Sequence, residues 1–214
     1  MDFFFPELEA YVTRHTTPES EVLRKLNRET HAKILMPRML SGHLQGRVLA
    51  MISHMIKPQQ ILEIGTYTGY SALCLAEGLA PGGTLHTIDI NEELEDLVRQ
   101  HIAEAGFTDR IKYYLGNALN IIPTLKMQFD LVFIDADKIN YSLYYDLVIQ
   151  KTAPGGFILA DNVLWSGKVV PEPGKKIDKD TQAILDFNQK IQQDERVENV
   201  LLPLRDGLLL MRKI

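Results

Sequence analysis

The chain has a single cysteine in 214 residues, so no internal disulfide can form. Cys74 lies among Ala72, Leu73, Leu75 and Ala76, an apolar helical setting that reads as core in a reducing compartment. Basic residues are not in excess: 23 Lys and Arg stand against 28 Asp and Glu, a net charge of -5. That balance argues against a nucleic-acid partner. No uncharged apolar run reaches about 18 residues, which removes transmembrane helices from consideration. The opening Met1-Asp-Phe-Phe-Phe-Pro6 carries neither a basic leader nor a small-residue cleavage site, so no signal peptide is expected and a cytoplasmic location is the default. Repeats and low-complexity tracts are missing as well. What remains, 45% hydrophobic and 24% charged, is the composition of a soluble globular protein long enough for a single domain over 1–214 with a large core.

Two textures divide the chain. Residues 1–57 form a helical portion, with apolar residues at spacings of three and four from Leu8 through Val22, Leu26, Ile34 and Leu40. Thr17-Pro18-Glu19 reads as a helix start, with Thr17 as cap and Pro18 as first helical residue. Met36-Pro37 breaks that segment, and Met39 to Gly46 reads as a polar link before a helix over Arg47–Met55. Residues 58–214 alternate strand and helix. Strands are expected at Ile61–Gly65, Thr84–Asp89, Ile111–Leu115, Phe129–Ile134 and Gly155–Asp161, with helices over Ala72–Leu79, Glu92–Ala105, Asn120–Lys126 and between Ile139 and Pro154. Such alternation predicts a doubly wound α/β sheet. A helix over Thr181–Gln193 precedes a hairpin, Arg196–Pro203 with Gly207–Arg212, turned at Asp206-Gly207, so the last strand is expected antiparallel. The long loop from Val163 to Asp180, with Pro171, Pro173, Gly174 and Lys175-Lys176, is a lid candidate.

The chemistry concentrates where two buried strands end in polar residues. Phe129-Asp-Leu-Val-Phe-Ile-Asp135-Ala-Asp137-Lys138 and Gly155-Gly-Phe-Ile-Leu-Ala-Asp161-Asn162 would bring Asp135, Asp161 and Asn162 into one small volume. One acid at a strand end is an ordinary helix cap. Three oxygen ligands on adjacent tips, with Lys138 beside them as candidate base, point instead to a site for a hard cation such as Mg²⁺, with Mn²⁺ or Ca²⁺ as alternatives. A second site is the turn Glu63-Ile-Gly65-Thr-Tyr67-Thr-Gly69-Tyr-Ser71, a strand, a glycine turn and a helix start. Asp89, at the next strand end, can accept from a ribose diol. The turn lacks Gly-x-Gly-x-x-Gly, and Glu63 would repel a pyrophosphate while pairing with an amino group. A phosphate-free cofactor with a ribose and an amino acid fits, and S-adenosylmethionine (SAM) is one. The rivals are an NAD-dependent oxidoreductase, which the missing glycine pattern opposes, a non-catalytic SAM-binding module, and methyl transfer to nucleic acid, which the acidic balance opposes.

These motifs, with Ile88-Asp-Ile-Asn91 and the continuation Asn162-Val-Leu-Trp165, resemble the cation-dependent O-methyltransferases of the caffeoyl-CoA and catechol group, bacterial type, from about Met39 to the C-terminus. The resemblance implies the class I SAM-dependent methyltransferase (Rossmann-like) fold, a seven-stranded mixed sheet with extra N-terminal helices, and a homodimer. It also implies methyl transfer to a vicinal-dihydroxy aromatic small molecule. Carried over by motif, Asp135, Asp161 and Asn162 would hold the metal and Lys138 would be the base. Glu63, Gly65, Tyr67, Ser71, Asp89, Asp135 and the backbone at Ala118 would contact SAM, with Met39 over its sulfonium, and Trp165 would shape the aryl pocket.

Overall fold

A computed structural model of the chain describes residues 6–170, 174 and 176–214. Short aliphatic runs without polar interruption must be covered on both faces, and they form the middle of one sheet. Its strands are β1 (Gln60–Ile64), β2 (Thr84–Asp89), β3 (Ile111–Leu115), β4 (Phe129–Ile134), β5 (Thr152–Asp161), β6 (Val197–Leu202) and β7 (Leu208–Lys213). The order is β3-β2-β1-β4-β5-β7-β6, and β7 runs antiparallel to both its neighbours. This is the seven-stranded mixed sheet expected from the sequence. Its order reverses between β1 and β4, so the crevice of the fold opens at their carboxyl ends.

The helices are α1 (Pro6–Arg14), α2 (Glu21–Lys33), α3 (Gly42–Ile56), α4 (Tyr70–Glu77), α5 (Glu95–Glu104), α6 (Ala118–Ile121), α7 (Tyr141–Lys151) and α8 (Lys179–Gln192). On one face α4 is buried from Tyr70 through Ala76. A helix apolar all round needs a cover on its outer side, and the N-terminal helices supply it. Tyr70 Oη donates to Glu19 Oε1 at 2.5 Å, and Thr30 Oγ1 meets Thr68 Oγ1 at 3.3 Å, tying α2 to the turn after β1. On the other face α7 and α8 pack through Tyr141, Tyr145 and Phe187, edge to face at 5.4 and 6.3 Å between ring centres. Cys74 is free and buried.

Several boundaries differ from the sequence reading. Ser20, extended, accepts from Leu23 N at 3.3 Å and caps α2, so Thr17-Pro18 precedes the helix instead of opening it. Of the supposed polar link, Met39 ends a 3-10 turn and Gly42 to Gly46 form the first part of α3, which begins at Gly42. Gly46 there serves close packing, since a Cβ would lie 2.6 Å from the Tyr70 ring. Asn117 caps α6, which therefore starts at Ala118 and not at Asn120. The loop after Asn162 holds a short 3-10 turn at Trp165–Gly167. Pro171, Pro173 and Lys175, part of the expected lid, and the apolar Phe3–Phe5 lie outside the described residues. Among the described residues no helix is long and apolar enough to cross a membrane.

Candidate active site

The carboxyl ends of β1, β2, β4 and β5 open into one cleft of about 1910 Å³. A pocket for one small ligand measures about 300–1,000 Å³, so this cleft has room for two reactants side by side. Its floor is the crossing of β1 and β4. Gly65 N–H donates to Ile88 O and Asp135 N–H to Ile64 O, both at 2.9 Å. At Gly65 φ is +98°, and a Cβ would come within 1.9 Å of the Asp135 carbonyl oxygen. Only glycine fits there. The cofactor-type turn and the acidic tip are thus in backbone contact.

On the β1–β2 side, Tyr67 N–H donates to Asp89 Oδ2 at 2.6 Å and Asn91 N–H to Oδ1 at 2.9 Å, so the Asp89 carboxylate is oriented by two backbone donors. Gly65, Tyr67, Ser71, Asp89 and Ala118 all line the cleft. Met39, half exposed, also lines it. Glu63 does not line it. Fully buried at the end of β1, Glu63 accepts from Thr87 Oγ1 at 2.5 Å through Oε2 and has no partner for Oε1. Burial pushes its carboxyl up to about 8. An orphaned acceptor beside the glycine turn calls for a donor, and the amino group of an amino-acid cofactor supplies one.

On the β4–β5 side, Lys138 Nζ, itself buried, reaches Asp135 Oδ1 at 3.3 Å, Asn162 Oδ1 at 2.9 Å and Tyr141 Oη at 2.5 Å. Asp161, at the end of β5, is 3% exposed; its Oδ2 accepts from Gln45 Nε2 at 2.6 Å and its Oδ1 from Asn162 N–H at 2.8 Å. Burial, and then the charge of Asp135, push the Asp161 carboxyl well above the usual range. Asn162 adopts φ 59°, a left-handed conformation that Asn tolerates, and its Oδ1 accepts from Lys138 Nζ. The Trp165 ring stands 5.9 Å from Lys138 Nζ. Asp161 is thus buried beside Lys138, while the Asp135 side chain keeps 22% of its surface exposed. No cluster of three or more His, Cys, Asp or Glu side chains occurs among the described residues, and the donors here are two carboxylates and an amide. Hard oxygens of this kind fit a hard divalent cation.

The sequence reading missed Gln45, Tyr141 and Arg205. Tyr141 Oη, buried between Lys138 and the carbonyl of Asp161 at 3.0 Å, was given no role. Gln45 looked like part of a loop. Arg205 Nη1, in the β6–β7 turn, reaches Gln45 Oε1 at 3.2 Å, a contact between residues 160 positions apart that no local pattern signals.

A sequence model of the O-methyltransferase family matches residues 13–214. Caffeoyl-CoA O-methyltransferase 1 of Eucalyptus globulus is 36% identical over 205 residues, covering 92% of this chain and 83% of that protein. Caffeoyl-CoA O-methyltransferase 2 of Zea mays is 36% identical over 206 residues, covering 92% and 78%. Among solved structures, the O-methyltransferase TomG of Streptomyces achromogenes, involved in tomaymycin synthesis and in complex with SAM, superposes with a TM-score of 0.89 at 28% identity over 97% of this chain and 96% of that one. The O-methyltransferase of Bacillus cereus in complex with SAH gives 0.89 at 29% identity over 97% of each. This chain belongs to the O-methyltransferase family of enzymes.

Proposed function

We propose that the cleft binds SAM at the ends of β1 and β2 and, at the ends of β4 and β5, a divalent cation with a vicinal-dihydroxy aromatic of the catechol or caffeoyl type, whose phenolic oxygen is methylated. The observation that carries this reading is the meeting of Asp135, Lys138, Asp161 and Asn162 within the same cleft as the Gly65 turn and Asp89. Structures of related O-methyltransferases with SAM or SAH support the donor, and the names of the curated relatives support the acceptor class.

Bound SAM supplies an electrophilic methyl group; in the transfer its S–CH3 bond breaks, an O–CH3 bond forms and the sulfonium becomes a neutral thioether. Mg²⁺, held by Asp135, Asp161 and Asn162, would act as Lewis acid and template for two adjacent hydroxyls. Asp89 would accept from the donor's ribose and the Gly65 turn would let its chain approach the floor, while Glu63, fully buried and off the lining of the cleft, would accept from the donor's amino group only once the turn shifts to expose it. Met39 closes over the donor. A phenol, with a pKa near 10, is mostly un-ionised at neutral pH. Lys138 Nζ, in its neutral amine form, would take the phenolic proton, and Tyr141 Oη, 2.5 Å away, would hold the nitrogen at the strand tip. Trp165 walls the aromatic ring. Orientation of oxygen against methyl contributes further, since effective molarities lower such barriers by about 7–11 kcal/mol. A cytoplasmic homodimer belongs to the same proposal, supported by the lone reduced cysteine and by the resemblance.

The test is methyl transfer from labelled SAM to a panel of catechols with Mg²⁺ and with chelator. Transfer should need two adjacent hydroxyls and the metal, and Asp161→Ala should abolish it. Full methylation by that variant in chelator overturns the metal role.

A further inference from the structure

The buried acid Asp161 owes its orientation to a residue outside the α/β core. Its Oδ2 accepts from Gln45 Nε2 at 2.6 Å, across 116 positions of sequence. A primary amide has two faces of nearly equal size, one donating and one accepting, so something must decide which face meets the carboxylate. Arg205 decides it. Its Nη1 donates to Gln45 Oε1 at 3.2 Å, to Leu40 O at 3.2 Å and to Ser41 O. A guanidinium has no acceptor, so only the amide oxygen can face it, and the N–H face is left for Asp161.

The turn that presents Arg205 also grips the opposite side of the site. Leu164 N–H donates to Asp206 O at 2.8 Å, and Ser166 N–H donates to Asp206 Oδ1, which fastens the loop carrying Trp165 directly after Asn162. Arg205 itself adopts φ 50°, a left-handed conformation that non-glycine residues disfavour.

We infer that Gln45 and Arg205 are positioning residues for the proposed cation site, Arg205 setting the Gln45 amide and Gln45 fixing the Asp161 carboxylate. The inference rests on the metal reading above. With Oδ1 already held by Asn162 N–H at 2.8 Å, the Gln45 contact on Oδ2 fixes the second oxygen, so the carboxylate cannot rotate and its remaining lone pairs stay aimed at one place. Partners behind metal ligands commonly change affinity by about 10–100-fold when removed.

Mn²⁺ is the probe, its free fraction read by electron paramagnetic resonance on the full chain, with SAM affinity measured in parallel by calorimetry. Gln45→Met keeps the length and removes the amide; Arg205→Gly keeps the left-handed turn and removes the guanidinium. Each should weaken Mn²⁺ binding about tenfold or more. The double variant should bind no more weakly than Gln45→Met, because Arg205 acts through Gln45. SAM affinity should hold, since Glu63 and Asp89 stand on other strands, whereas a general loosening of residues 39–45 would weaken both ligands through Met39. Should Gln45→Met fail to fold, Arg205→Gly, which does not touch the buried carboxylate, carries the test. Unchanged Mn²⁺ affinity in Arg205→Gly overturns the inference, as do fully additive losses or a parallel fall in SAM affinity. Wild-type protein that binds no Mn²⁺ overturns the metal reading, and this inference with it.

Discussion

Substituting Gly65 by alanine tests whether the cofactor turn and the acidic tip are one mechanical unit. Alanine at φ +98° meets a backbone penalty of about 1–2 kcal/mol. Its Cβ would also stand 1.9 Å from the Asp135 carbonyl oxygen and 2.7 Å from the carbonyl carbon, where close carbon–oxygen contacts run at about 3.3 Å or more. The two chains must part by more than about 1 Å, and the bonds there, Asp135 N–H to Ile64 O and Gly65 N–H to Ile88 O, have little slack. Losing one and leaving a buried group unpaired costs about 1–3 kcal/mol more. The sum, about 2–5 kcal/mol, is a large share of the 5–15 kcal/mol typical of a folded domain. Gly82→Ala is the control: φ is +74° and nothing lies within 4 Å of the added Cβ, so only the backbone penalty applies. Urea unfolding followed by circular dichroism should show Gly65→Ala as the more damaging of the two. Because the displaced carbonyl belongs to Asp135, SAM and Mn²⁺ affinities should fall together, each tenfold or more if about 1.4 kcal/mol of binding is lost. An alanine variant as stable as the control, with SAM binding intact, refutes the close contact.

Lys138→Ala should lower kcat far more at pH 7 than at pH 9, where a larger share of a phenol ionises unaided; an equal loss at both pH values removes the assignment as base. Cys74 is fully buried, and burial raises its thiol to about 12, so the native enzyme should be inert to a disulfide reagent while the urea-unfolded chain titrates one thiol; fast native reaction contradicts the packing. His86 is also buried, bonded to Tyr114 Oη at 2.9 Å and Gln60 Oε1 at 3.1 Å, and burial, then the charge of Lys112, holds it down to about 4. The unfolded histidine titrates near about 6.5 and so binds more protons between those values; stability is complete above the upper one and falls as pH drops through the window. His86→Gln should remove about one proton's worth of slope from the unfolding free energy there, and an unchanged slope counts against a neutral buried ring.

The middle of the sheet was legible because a strand covered on both faces must be apolar: β4 falls on the expected residues Phe129–Ile134 and is buried at every position but Asp130. Helix starts were less legible. Thr17-Pro18 and Ser20 both satisfy cap chemistry, and the choice of Ser20 depends on where α2 meets α4, which is a tertiary fact. Gly42 and Gly46 gave the start of α3 the texture of a loop, yet Gly46 is small because Tyr70 presses on it. The acidic tips were legible for the opposite reason, since polar residues ending a buried strand have no packing role to explain them.

What could not be read locally is what closes the site. Gln45 and Arg205 come from an N-terminal helix and a C-terminal hairpin, and they meet at Asp161 because β5 lies against β7 and α3 reaches the end of β5. The α/β crossing supplies donors and acceptors that open α/β sheets of many activities share at their switch point. Orientation of the buried acid comes from the added segments instead. On the proposed reading the tips of β1 and β2 serve the donor, while Gln45 and Arg205, from the 39–45 and 203–207 segments, serve the acceptor end, and Met39 in the first of these segments faces the donor. Substrate choice within the family should therefore be sought in those two segments and in the Trp165 loop they hold, not in the glycine turn.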